Sequence, residues 1–293
     1  SIGRNFFNII CFGQSNASNI LKIHNKKTAD IPFSRQPMNA LKVNLTSALS
    51  PSSLQLYQRC PYAFFLSKIM GISNNDPASE YQLFGVLIHE LIEKVAKKEI
   101  INADEVKAYI SSKLNTLMAI IMKTKFNEEW NITEVTSWVN QFSGEIYTEH
   151  ELSETIQGIP LKGRADIIFS SNESIEVVDV KSGKLPTAKE IKTYEYIQLG
   201  VYLLLIEKAF KKTTLKASLL AKDQHFSTPI DYENEAFSDY MSGLKKHLVK
   251  LFNQLSESKF NPADALSDPR FTKNQCRVCE YYYVCHFKDR HQR

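Results

Sequence analysis

No run in the chain approaches the ~20 apolar residues that a membrane span requires. The apolar stretch from Asn5 to Phe12 is short and lacks the small-residue cleavage pattern of a secretory leader. A glycine-rich phosphate loop is missing, which argues against P-loop nucleotide chemistry, and no internal repeat suggests a solenoid. Cysteine is scarce, with five in 293 residues. An odd number without a leader argues against a disulfide framework and for a reducing, cytoplasmic compartment, where clustered cysteines act as metal ligands or catalysts. Of what is present, a 43% hydrophobic content suffices for a sizeable core. The net charge of +4 is compatible with a polyanionic partner but is equally ordinary. The chain opens on Ser1, which reads as a boundary within a longer protein.

The cysteines are placed unevenly. Cys60 stands alone, whereas Cys276, Cys279 and Cys285 form C-x-x-C-x-x-x-x-x-C near the other end. Four thiolates match either a tetrahedral zinc or an iron–sulfur cube. Either would tie the two ends of one domain together. Cys11, within Ile9-Ile10-Cys11-Phe12, reads as a buried small hydrophobe.

Residues 1 to 47 lack a sustained period and read as a linker or the tail of a preceding domain; residues 48 to 293 read as one domain. Ser50 or Ser52 caps a helix with Pro51 in its first turn, and Cys60-Pro61 interrupts that helix. Residues 74 to 80 form a polar turn. Phe84, Leu87, Ile88, Leu91, Ile92 and Val95 repeat at helical spacing between Tyr81 and Ile100, with His89 beside the stripe. Further helices are expected over 103 to 123 and 133 to 147. Tyr147–Ile156 and Ile159–Phe169 form a hairpin turning at Gln157-Gly158, and Ser174–Val180 is a Val-rich strand. After a loop over 182 to 186, Thr187 and Glu190 make a capping box for one helix running to Phe210. A strand over Leu215–Ala221, a helix over Ala236–Leu255 and a loop-rich end complete an α/β pattern: a small mixed sheet flanked by helices.

Asp166 falls within one strand pattern and Asp179 at the end of the next, so adjacent strands bring two carboxylates together. Close carboxylates repel unless a cation neutralises them, and hard divalent ions take oxygen ligands. Lys181, two residues from Asp179, points to the same strand face and suits orienting water or stabilising charge on phosphate. A bare D-x-K also arises by chance, and a terminal Asp often only caps a turn. Gln198 and Tyr202, four apart on one helix face, suit a phosphodiester or its attacking water, although Val201, Leu204 and Leu205 equally make Tyr202 core. His89 is either a ligand supplying neutral imidazole or a boundary histidine.

Together, His89, Asp166, Asp179-Val180-Lys181 and Gln198-Leu199-Gly200-Val201-Tyr202 resemble the RecB-like branch of the PD-(D/E)XK nuclease superfamily. Tyr57-Gln58-Arg59-Cys60-Pro61 ahead of them, and Cys276, Cys279 and Cys285 behind, resemble its iron-staple nucleases. These include the AddB-type subunits of helicase–nucleases, closest in the opening Leu49-Ser50-Pro51-Ser52-Ser53-Leu54, and the CRISPR adaptation nucleases. The resemblance covers about residues 48 to 288. It implies a restriction-endonuclease-like core with an iron–sulfur staple. His89, Asp166, Asp179 and the Val180 carbonyl would ligate Mg2+ or Mn2+. Lys181 would position the water, with Gln198 and Tyr202 completing the site. Cys60, Cys276, Cys279 and Cys285 would bind a 4Fe-4S cluster. A Glu often precedes the first Asp in this family, and Glu149 or Glu151 fits it. Ala165 stands where many members have Pro.

The implied activity is a Mg2+/Mn2+-dependent deoxyribonuclease, an exonuclease domain of double-strand-break repair. It would work with a helicase–nuclease partner subunit or a covalently preceding helicase-like domain. The rivals are a stand-alone CRISPR-adaptation-type exonuclease, a non-cutting DNA-binding module of the same fold, and a zinc-ribbon interaction protein.

Overall fold

The computed structural model describes residues 47–72, 80–113, 136, 139–181, 185–221, 224–231, 236–260, 276, 279–282 and 285. Outside them lie Cys11 and the rest of the expected linker up to residue 46, the turn over 74 to 79, the helix expected over 114 to 123, and residues 182 to 184 of the loop. The chain divides into two compact units: Asn44–Gln58 with Asp76–Gln254, and Ser1–Val43 with Arg59–Asn75 and Leu255–Arg293.

The larger unit is built on a five-stranded sheet of order β1-β2-β3-β4-β5, with β1 Glu145–Ile156, β2 Ile159–Ser170, β3 Ser174–Lys181, β4 Thr214–Ala221 and β5 Gln224–Asp231. Pairing is antiparallel except between β3 and β4. The β1–β2 hairpin turns at Gln157 and Gly158, both at positive φ. The helices are α1 Pro51–Arg59, α2 Pro61–Phe64, α3 Glu80–Ala96, α4 Ala103–Lys113, α5 Ala188–Lys192, α6 Gln198–Phe210 and α7 Phe237–Ser256.

Ser50 is the cap of α1. Its Oγ accepts from the Ser53 amide at 3.1 Å, while Pro51 takes the first helical position, where a missing N–H costs nothing.

One sheet face meets α3. Ile88, Leu91, Ile92 and Val95 bury against Ile167 and Phe169 of β2, Val178 and Val180 of β3, and Leu220 of β4. Each such side chain contributes roughly 1.5–3 kcal/mol through burial. Because strand side chains alternate, Val177, Asp179 and Lys181 belong to the opposite face, which α6 covers. Leu199 to Ile206 of α6 are all buried. Among the described residues no helix is long and apolar enough to cross a membrane.

Three expectations need correcting. The helix expected over 133 to 147 has ended by Gln141, and β1 has begun at Glu145. Gly144 stands where the chain enters the sheet, since a Cβ there would lie 2.5 Å from the Ser170 carbonyl. The single helix expected from Thr187 to Phe210 is two. The capping box forms, but α5 stops at Lys192 and Tyr194 turns left-handed at φ +60. Thr193-Tyr194-Glu195-Tyr196 supplies β-branched and aromatic residues with low helix propensity. Strand β5, Gln224–Asp231, has no counterpart among the expected elements and contains Pro229. An edge strand tolerates Pro, which falls where the β4 register shifts between Ala217 and Leu219.

In the smaller unit, Cys60 is the extended residue before α2, and a π-helical turn, Phe65–Ile69, follows. The Phe260 ring packs on Phe64 and Phe65 at 6.4 and 5.3 Å. Cys276, Cys279 and Cys285 sit on successive tight turns, Cys279 N donating to Cys276 O at 3.1 Å and Cys285 N to Tyr281 O at 2.8 Å.

Candidate active site

The β1–β2 ladder pairs Thr148 with Ile167 and His150 with Ala165, and skips the pair between them. The skipped residues are Glu149 and Asp166. Glu149 sits at φ +48, a conformation that costs a non-glycine residue about 1–3 kcal/mol and persists only where the surroundings enforce it. Asp166 is likewise released from pairing, since the β2–β3 ladder ends at Ile167 and Val178. Its Oδ2 accepts the Val180 amide at 2.7 Å. Its Oδ1 lies 3.3 Å from Nδ1 of His89, delivered by α3. Ligand atoms of His89, Glu149 and Asp166 all fall within 4.8 Å of one another. Of the two glutamates the sequence left open, Glu149 joins this group, and Glu151 is exposed.

A second cluster forms on the α6 side. Asp179 is buried, at 3% exposure. Its Oδ2 takes the Lys181 ammonium at 2.7 Å and the Tyr196 hydroxyl at 3.1 Å. Gln198, the first residue of α6, offers Oε1 to both Lys181 Nζ at 3.2 Å and the Tyr196 hydroxyl at 3.1 Å. The Tyr202 hydroxyl donates 2.8 Å to the Arg164 carbonyl, two residues before Asp166. It reaches there across Gly163, whose absent Cβ would lie 2.9 Å from the Tyr202 ring. Tyr202 is 5% exposed, so the core reading of its ring holds while its hydroxyl ties α6 to β2. Tyr196 has no place in any motif of the sequence and enters the site only through its contacts with Asp179 and Gln198.

Burial is the largest influence on Asp179 and pushes its carboxyl up; Lys181 opposes this, and the charge of Asp166 adds to it. Burial also raises Glu149, against the pull of Arg164, whose Nε lies 2.7 Å away. The contact with Asp166 raises His89 despite its partial burial. Burial raises the phenols of Tyr196 and Tyr202. His89, Glu149 and Asp179 thus hold their protons more readily than in water, the two carboxyls chiefly through burial and the imidazole chiefly through its contact with Asp166.

A model of the PD-(D/E)XK nuclease superfamily matches residues 48–286. The chain belongs to the PD-(D/E)XK nuclease superfamily. Among curated relatives, an uncharacterised Rickettsia conorii protein, RC0550, is 31% identical over 203 residues, 61% of this chain and 24% of its own length. An uncharacterised Rickettsia typhi protein, RT0391, is 29% identical over 198 residues, 59% of this chain and 23% of its own. The chain therefore spans about a quarter of the length of the curated relatives it matches. Among solved structures, SSO0001 aligns with TM-score 0.43 and 17% identity, over 84% of this chain and 89% of that one. A Eubacterium rectale protein carrying a provisional exonuclease name aligns with TM-score 0.47 and 12% identity, over 80% and 87%.

PD-(D/E)XK nucleases use divalent metals, and the donor set here fits one. The His89 imidazole and the carboxylate oxygens of Glu149 and Asp166 converge within 4.8 Å of one another, the mixed nitrogen and oxygen set that a divalent cation takes. A pH dependence follows. In the metal-free protein, the His89–Asp166 contact contributes stability fully below the unfolded histidine pKa of about 6.5 and loses it as pH rises through the elevated folded value. Metal needs neutral imidazole and ionised carboxyls, so protons compete with it. Mn2+ affinity, measured by calorimetry between pH 6 and 8.5, is expected to weaken by about tenfold per unit below the His89 pKa, with proton release on binding.

Proposed function

We propose that the chain is a Mg2+- or Mn2+-dependent deoxyribonuclease, an exonuclease domain of a larger helicase–nuclease acting on broken DNA in the cytoplasm. The observation that carries this reading is the meeting of His89, Glu149 and Asp166 at a ladder gap, with Asp179 and Lys181 on the next strand. A bound divalent cation would supply Lewis acidity to a phosphodiester and make water more acidic. His89, Glu149, Asp166 and Asp179 would hold it, with the Val180 carbonyl as a further donor. Lys181, anchored on Asp179 and Gln198, would orient the attacking water and counter charge building on the phosphate oxygens. Water oxygen forms the new bond to phosphorus as the bridging P–O bond breaks, and the departing oxygen takes up a proton. Gln198 and Tyr202 would act as braces for Lys181 and β2 rather than as direct phosphate contacts, since their oxygens engage protein groups.

Support for a larger assembly comes from the relatives, which are about four times as long as the matched segment. The cysteines would bind a 4Fe-4S cluster. Cys60 and Cys279 act electrostatically on the Cys276 thiol, which burial chiefly pushes up. Cys279 is raised by burial too. The charge of Cys60 thus reaches Cys276 and Cys279, more than two hundred positions away in the chain. The test is an assay on 5′- and 3′-labelled single- and double-stranded DNA with Mg2+ or Mn2+. Progressive loss of label from one end, abolished by chelator and weakening steeply with salt, is expected. Intact DNA retained in a shift assay would favour the non-cutting module.

A further inference from the structure

Tyr196 belongs to neither the carboxylates nor the Gln198–Tyr202 pair, yet its hydroxyl touches both halves of the site. It lies 3.1 Å from Asp179 Oδ2 and 3.1 Å from Gln198 Oε1. Lys181 Nζ reaches the same two oxygens, at 2.7 and 3.2 Å. Two donors and two acceptors therefore close a ring. An ammonium only donates, so the Gln198 amide must present its oxygen inward. A phenol has one proton, which the two acceptors share.

The turn that carries Tyr196 is fixed from two sides. Its amide donates to the Glu190 carbonyl of α5 at 2.8 Å. From α1, Gln55 donates to the Glu195 carbonyl at 2.6 Å and accepts from the Ile197 amide at 2.9 Å, while Gln58 donates to the Tyr194 carbonyl. The left-handed Tyr194 gives the chain its direction into the site. Such bracing on either side of a residue is what a precise side-chain position requires.

Resting on the nuclease reading above, we infer that Tyr196 is a positioning residue, whose hydroxyl fixes the Asp179 carboxylate and the Gln198 amide so that Lys181 is shared between them and the carboxylate is held in one orientation in which it would serve a cation. The terminal torsion of an Asp is broad and two-fold, so one contact from Lys181 leaves the carboxylate free to swing. The second contact removes that freedom. It also keeps Lys181 from collapsing wholly onto Asp179.

Tyr196→Phe deletes the hydroxyl and keeps the ring. In the 293-residue chain it is expected to lower kcat for DNA by 10- to 100-fold at saturating Mg2+, the usual effect of losing such a partner, with KM for DNA changed less than about twofold. Mn2+ affinity, read by electron paramagnetic resonance without DNA, is expected to weaken about tenfold. The double variant with Gln198→Ala is expected to lose no more than Gln198→Ala alone, because both act through one ring. Unchanged Mn2+ affinity and kcat in Tyr196→Phe would overturn the inference, as would strictly multiplicative losses in the double variant or a variant that fails to fold. A wild-type chain that binds Mn2+ but cuts no DNA would defeat the nuclease reading instead, and the Mn2+ measurement would still decide the role of Tyr196.

Discussion

Asp179→Asn is expected to reduce metal-dependent DNA cutting on the order of 10³-fold while raising the thermal midpoint of the metal-free protein. The activity loss follows from removing a charged ligand for the cation that the site needs. The stabilisation follows from burial. Asp179 is 3% exposed and its carboxyl is pushed up, chiefly by loss of water, so the folded state holds its proton more tightly than the unfolded chain. The associated stability is complete below the unfolded pKa of about 3.9 and is lost as pH rises through the folded value. At neutral pH the ionised group is therefore a liability that Asn lacks. Asn keeps an oxygen for Lys181 and Tyr196, so no buried donor is orphaned. Calorimetric scans should place Asp179→Asn a few degrees above wild type at pH 7 without metal, with the gap closing towards pH 3. Saturating Mn2+ should raise wild type but not the variant, since only binding to the native state stabilises it. A variant less stable than wild type at pH 7 would mean that Lys181 outweighs burial. A variant still cutting at the wild-type rate would remove Asp179 from the site.

Cys60→Ser is expected to lower the thermal midpoint by about 10 °C or more and to bleach the protein. A metal held by four thiolates contributes its binding free energy to folding, and about 1 kcal/mol moves the midpoint by about 2–4 °C in a domain of this size. The described packing of the smaller unit centres on Tyr62, Phe64, Phe65, Phe260 and Tyr281. Anaerobically purified wild type should be brown, with about four irons per chain. At low temperature, Cys60→Ser should retain more activity than Asp179→Asn, because Cys60 supplies no group to the carboxylates. A colourless protein with one zinc per chain would replace the iron reading with a zinc staple. A variant as stable as wild type would remove the staple altogether.

Elements with a clean period were legible in the sequence. Helix α3 and strands β1 to β4 followed from apolar spacing, and Thr187 and Glu190 announced α5 through their side chains alone. What escaped depended on context. The break at Tyr194 is imposed by hydrogen bonds from Gln55 and Gln58, more than 130 positions away. Strand β5 owes its place to an edge that can accommodate Pro229. In the site, residue types at their spacing raised His89, Asp166, Asp179, Lys181, Gln198 and Tyr202 only beside ordinary readings as core, boundary or turn residues, and the resemblance to the family is what joined them into one set. The choice of Glu149 over Glu151 was not legible, because strand alternation puts both on one face. It turns on a single positive φ at Glu149 that no local propensity favours. Tyr196 was hidden for the same reason, since its role arises from a turn that reads as continuous helix.

Mn2+ soaked into crystals of the chain and located by its anomalous scattering would show whether these side chains hold the cation. One strong peak coordinated by His89, Glu149, Asp166 and Asp179 is expected, absent in Asp179→Asn crystals grown alike. Mn2+-stimulated DNA cutting by the same preparation, with no peak at these side chains or a peak elsewhere, would contradict this assignment.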